Sequence, residues 1–300
     1  MNRTKSVLVA ASLSLAMAFT FSCGTTEGNL DSSGVSSSGG DGLSSSGSSS
    51  SGDGGSSSSE AQNNGTSSSS SLSSSSFSSS STIQGGISYG TLPYEGQNYN
   101  TVKIGDQVWM AENLNYDVSG SYCYDDDPAN CVKYGRLYDW ATAMDFYQSC
   151  NSTTCADQIQ TPKHQGICPS GWYIPSNADW DKLYRYVDGT TGTSSPYNSS
   201  TAGKALKAQT GWDICGPSGY YECKDTYGFS AQPSGRYWFS QDVFTNVGER
   251  GYWWSSNELE DYNNAVYSRY IMYNLESANW YVIDKMDLSS VRCLKDEASP

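Results

Sequence analysis

Apolar side chains fill the stretch from Val7 to Phe21, nearly vanish from Gly24 to Gly86, and then return in two rhythms. The first run follows Arg3 and Lys5 and stops at the small residue Ser22, the layout of an export signal over residues 1–22. A membrane-spanning helix is the weaker reading, because the run is short for a hydrocarbon core of about 30 Å and is interrupted by Ser12, Ser14 and Thr20. Residues 23–87 are mostly serine and glycine, with Leu30, Val35, Leu43, Leu72, Phe77 and Ile83 scattered among them. So little apolar surface cannot offset the entropy of ordering the chain, and the pattern predicts a flexible tether with a reach of roughly 45 Å.

Residues 88–300 read as one globular domain with a sizeable core. A helical rhythm is clearest after Ser176-Asn-Ala-Asp179, a capping box in its Asp variant. Trp180, Leu183, Tyr184 and Val187 then share one face, and Gly189 is the expected stop. Leu137, Trp140, Ala141 and Met144 predict a second helix over 137–144, and Ala202–Ala208 a short third. Elsewhere the signals are strands and turns. Val102–Ile104 and Gln107–Met110 flank Gly105-Asp106 as a hairpin, and short strands are expected at Tyr252–Ser255, Val266–Met272 and Trp280–Ile283. The expected class is α+β, with two main helices and short antiparallel strands.

Cysteine content changes the picture of the export signal. Of nine cysteines, Cys23 directly follows Ser22, which resembles the lipid-attachment cysteine of bacterial lipoproteins, although Thr20 and Phe21 depart from the usual residues there. Lipidation of Cys23 leaves eight cysteines, an even number for an oxidising compartment. Connectivity cannot be read from sequence. Proximity favours Cys123 with Cys131, Cys150 with Cys155 and Cys215 with Cys223, leaving Cys168 and Cys293 over. No pair has Cys-x-x-Cys spacing and the lone histidine, His164, reads as an exposed loop residue, so a zinc site is a poor alternative. Loss of Arg3 and Lys5 with the signal takes the formal net charge from −14 to −16. Such a head is a poor partner for nucleic acid or anionic lipid, and contacts the membrane only through its N-terminal lipid.

The order of motifs from TVKIGDQVWMAENLNY through YGRLYDWATAM, CPSGWYIPSNADWDKL, AGKALK, GFSAQPSGRYW, YWWSSNE and SVRCLKD resembles the FISUMP family, the major paralogous domain of Fibrobacter succinogenes surface proteins. The family looks like a relative of the C-type-lectin-like and formylglycine-generating-enzyme fold. The resemblance implies a Cys168–Cys293 bridge. Asp287-Leu-Ser-Ser-Val stands where the related enzymes usually carry Gly-Phe-Arg. No activity of the family carries over residue by residue.

Three functions compete. The first is binding of plant-type polysaccharide or another surface glycan, for which nine Trp and 23 Tyr supply flat rings with polar edges. Trp253 and Trp254 read as core residues, whereas Tyr220, Tyr221, Trp238 and Tyr262 are the candidates for an exposed site. A structural calcium ion is the second, with Glu258, Glu260, Asp261, Asn263 and Asn264 as oxygen donors in one loop, although the Glu-Pro-Asn and Trp-Asn-Asp motifs of sugar-binding lectins are absent. Asp125, Asp126 and Asp127 read as a solvated turn. Catalysis is the third and is not expected: parity leaves no reactive thiol, a lone histidine disfavours a triad, and there is no phosphate loop or dinucleotide fingerprint. A cell-surface lipoprotein carrying a glycan-binding or adhesive head is the preferred expectation, and a structural or scaffolding surface protein that binds other exported proteins is the runner-up.

Overall fold

The computed structural model describes the backbone of residues 82–84 and all of residues 87–159, 161–215 and 221–297. Cys23, nearly all of the tether and Tyr220 lie outside the described residues.

Strands β1 (Thr82–Gln84), β2 (Ile87–Tyr94), β3 (Gln97–Ile104) and β4 (Gln107–Met110) form an antiparallel meander. It begins upstream of the boundary expected at Ser88. The β3–β4 hairpin closes with Ile104 opposite Gln107, and Gly105 supplies the positive φ of +63° its turn requires. After β5 (Ser121–Tyr122), helix α1 (Pro128–Tyr134) was not anticipated from periodicity. It is punctuated by its ends instead: the Asp127 side chain accepts from the Ala129 amide at 2.9 Å, proline opens the first turn and Gly135 ends it.

The segment expected as a helix over 137–144 is divided. Leu137–Tyr138 forms β6, buried between neighbouring strands, and helix α2 covers only Trp140–Ala143. The physical reason is Asp139, whose carboxylate accepts from the Thr142 amide at 2.8 Å and so sets the helix start after, not before, the strand pair. Following β7 (Trp172–Tyr173), helix α3 (Asn177–Asp188) has the capping box and the left-handed Gly189 stop that its sequence signals. Helix α4 (Ala202–Leu206) is the short third. Among the described residues no helix is long and apolar enough to cross a membrane.

The C-terminal half supplies β8 (Ser234–Trp238), β9 (Val243–Val247), β10 (Arg250–Glu258), β11 (Ala265–Met272), β12 (Ala278–Asp284), β13 (Ser289–Ser290) and β14 (Leu294–Lys295). One sheet runs β1-β2-β3-β4-β14-β7, and the other runs β12-β11-β10-β13-β6-β5 with β8 against β10 and β9 against β8. The sheet system is larger than the short-strand pattern implied, and it is mixed: β10 pairs parallel with both β8 and β13. Gly251 permits the close approach of β8, since a Cβ there would collide with the Gln232 carbonyl oxygen.

Strand β10 is the hub of the core. Its adjacent Trp253 and Trp254 point to opposite faces and are buried in separate apolar clusters. Indole donors converge on it: Trp140 Nε1 donates to the Ser255 carbonyl at 3.1 Å and Trp180 Nε1 to the Trp254 carbonyl at 3.3 Å. Four disulfides join Cys123–Cys131, Cys150–Cys155, Cys168–Cys293 and Cys215–Cys223. His164 differs from expectation: it is half-buried, with Nε2 2.7 Å from the Met144 carbonyl and its ring against Phe146. Its polar sequence neighbours Lys163 and Gln165 conceal the packing.

Candidate functional site

Period-two alternation along β8 puts Arg236 and Trp238 on one face and Tyr237 on the other. On the Arg236 face, the guanidinium lies 5.1 Å from the Trp238 ring centroid and 5.1 Å from that of Tyr252 on β10. Tyr252 stands opposite Tyr270 on β11, with ring centroids 6.1 Å apart, and Tyr270 meets Tyr281 on β12 edge-on at 6.4 Å. The result is a file of side chains crossing four strands, about 14 Å at ordinary strand spacing. Tyr252 is buried and Tyr270 half-buried, while the ends are open: Trp238 is 41% exposed and Tyr281 56% exposed. β12 is the sheet's edge strand, so the Tyr281 end is not covered by another strand.

Two cations lie within the file. Arg236 Nη1 pairs with Asp287 Oδ2 at 2.9 Å, and Asp287 Oδ1 accepts from the Phe239 amide at 2.9 Å, which ties the chain just beyond Trp238 to the turn after β12. Burial pushes the Asp287 carboxyl up to about 6 despite the opposing pull of Arg236 and the amide. Arg250 Nη1 donates to Tyr252 Oη at 3.2 Å, and that hydroxyl donates to Asn246 Oδ1 at 3.3 Å. Among the described residues Arg250 has no carboxylate within ion-pairing distance. Chemically, the surface offers ring faces for apolar stacking and guanidinium N–H groups for hydroxyl oxygens.

A family model described as the Fibrobacter succinogenes major domain matches residues 102–295. The chain belongs to this family. The Fibrobacter succinogenes major domain thus runs from β3 to β14 and contains every residue of the aromatic file. No curated protein and no solved structure matches the chain.

The three aromatic candidates among the described residues do not form one site. Trp238 begins the file. Tyr262, 60% exposed, lies instead in a groove of about 1380 Å³ between the β10–β11 loop, the start of α3 and the segments around Thr154, Thr161 and Ser195. Tyr221 is half-buried and belongs to neither surface. Glu258, Glu260, Asp261 and Asn263 do line that groove together, but two of them are engaged by a cation of the chain itself. Lys285 Nζ donates to Glu258 Oε1 at 2.7 Å, to the Asn263 carbonyl at 2.8 Å and to the Thr153 carbonyl at 2.9 Å, and sits 4.7 Å over the Trp140 ring. Glu258 also accepts from the Cys155 amide at 2.8 Å and Thr154 Oγ1 at 2.5 Å. Glu260, Asp261 and Asn264 remain exposed, and among the described residues no group of three or more His, Cys, Asp or Glu is arranged to hold a metal ion.

Sequence reasoning missed Lys285, Tyr281, Arg250 and Arg292. Lys285 is a lone lysine whose partners are 22 to 132 residues away. Arg292, fully buried, donates to Asn113 Oδ1 at 2.9 Å and to the Ser230 and Phe229 carbonyls, and burial lowers it to about 9. Its one sequence signal was a charged residue between apolar Val291 and the bridged Cys293. Alternation along β10 and β12 does not mark Arg250 or Tyr281, because Tyr252 and Ile283, two residues away on the same faces, are buried.

Proposed function

We propose that this chain is a cell-surface lipoprotein whose head binds polysaccharide along the aromatic file from Trp238 to Tyr281. The file itself carries the reading: rings open at both ends, spaced across about 14 Å of sheet, match an extended ligand with repeating apolar faces. Arg236 and Arg250 add guanidinium donors beside the rings, Arg236 held in place by Asp287. All eight cysteines of the described residues are bridged, which favours binding over thiol chemistry. The motif order and the Cys168–Cys293 bridge support a C-type-lectin-like relationship for the head. Acylation of Cys23 and the serine-rich segment would then hold the head away from an outer membrane or cell surface.

Retention of the full-length protein on cellulose and a panel of other polysaccharides, with and without chelator, tests the reading. Retention that falls at least tenfold in Trp238→Ala or Tyr281→Ala and ignores chelator is the expected result. No retention on any polysaccharide overturns it and favours a scaffolding role. Retention abolished by chelator moves the site to the Glu258–Asn263 loop with calcium.

A further inference from the structure

The opposite face of the β8–β9 hairpin carries a second and chemically different site. Tyr237 and Phe244, cross-strand partners on that face, meet at 5.1 Å, and with Tyr122 and Phe239 they wall a cleft of about 570 Å³. Tyr122 and Phe239 are each 45% exposed, an unusual concentration of open aromatic surface for one small cavity. Three carboxylates, Asp126, Asp139 and Asp242, share the lining with Gln148, Asn151, Met286 and Leu288, and among the described residues it contains no lysine or arginine.

Asp139 decides the polarity of this cleft. It is 8% exposed, and among the described residues its carboxylate meets only neutral donors: the Thr142 amide at 2.8 Å, Thr142 Oγ1 at 3.0 Å, Asn151 Nδ2 at 2.9 Å and Gln148 Nε2 at 3.4 Å. Its charge is therefore held in place by hydrogen bonds and is not neutralised within the cleft. The cations on adjoining residues are spent elsewhere, Lys285 on Glu258 and Arg236 on Asp287. Asp242 at the rim accepts from the Tyr237 hydroxyl, which raises that hydroxyl's pKa.

Aromatic faces with a negative quadrupole, surrounding a buried anion with no internal counter-ion, favour a cation with apolar substituents. From this combination we infer that the cleft binds an organic ammonium group, either a quaternary ammonium or the protonated amine of an amino sugar. The site is separate from the aromatic file, because Tyr237 and Trp238 point to opposite sides of β8.

Titration of the full-length protein with choline and with its neutral isostere 3,3-dimethylbutan-1-ol, followed by NMR, reads the charge requirement directly. Glucosamine against N-acetylglucosamine asks the same question of a sugar and separates the two sources. Binding of either ammonium at least tenfold tighter than its neutral counterpart is expected. It should weaken at least threefold in Asp242→Asn, a rim substitution that leaves the buried network alone, and in Phe244→Leu. Equal binding of charged and neutral ligands overturns the inference, as does the absence of binding by both ammonium compounds. Ammonium binding unaltered in both variants overturns the assignment to this cleft.

Discussion

Replacing Lys285 by methionine removes the one charge that joins three loops around the large groove. The lysine side chain is fully buried and that of Glu258 is 5% exposed, so water cannot compensate either partner. Loss of one member of a buried pair costs about 3 to 5 kcal/mol, most of it from the charge left behind. The Thr153 and Asn263 carbonyls each lose a donor, at about 1 kcal/mol apiece if they stay dry, and the contact with Trp140 is lost too. These contributions overlap, because the same collapse of the loops lets water reach all of them. About 4 kcal/mol is the working expectation, or a fall in Tm of roughly 10 °C for a domain of this size. Neutralising the stranded carboxylate with Glu258→Gln should recover about 2 kcal/mol of that loss in the double variant. Urea unfolding followed by tryptophan fluorescence, with disulfides intact, measures all four corners of the cycle. A loss below about 1 kcal/mol for Lys285→Met, or additivity within about 0.5 kcal/mol, would refute the claim that Lys285 is the loop's resident cation.

Other substitutions probe independent parts of the account. Asp287 has a folded pKa of about 6 against an ordinary value near 3.9. Its contribution to stability is thus fully present below about pH 4 and is lost as pH rises through 6, roughly 3 kcal/mol in all. Asp287→Asn should therefore gain stability relative to the parent by up to that amount between pH 4 and pH 7, and a pH-independent difference in Tm would contradict the burial argument. Replacing Cys168 and Cys293 together by serine opens a link across 125 residues and should cost about 4 to 5 kcal/mol, measured by urea unfolding. Arg292→Lys keeps the charge but cannot fork to Asn113, Ser230 and Phe229 at once, so calorimetry should show a loss of about 3 kcal/mol in place of the near-neutral result of a conservative exchange.

Legibility in the sequence followed the range of the interactions. Helix α3 and the β3–β4 hairpin were readable because their signals are local: Ser176 and Asp179 bond reciprocally, and Gly105 sits in the turn it enables. The division of the 137–144 segment was not, since Leu137, Tyr138, Trp140 and Ala141 fit a helical face as well as a strand followed by a helix. Asp139 caps the helix locally, but the strand before it forms only through pairing with β5 and with β13, the latter distant in sequence. Trp238 was recognised as an exposed ring, but its companions Tyr252, Tyr270 and Tyr281 come from three other strands and share its face only once β8 packs parallel to β10. Glu258 and Asn263 were read as calcium donors, and in the structure the Glu258 carboxylate and the Asn263 backbone carbonyl face a cation of the chain itself. The cation was Lys285, which no spacing rule connects to them.

Retention of the full-length protein on insoluble polysaccharide, compared among the parent, Trp238→Ala and Tyr281→Ala, tests the central claim most directly. The account predicts that the parent is retained and that each end of the file is separately needed, with at least a tenfold loss for either substitution in proteins whose unfolding curves match the parent. Equal retention of all three would contradict it.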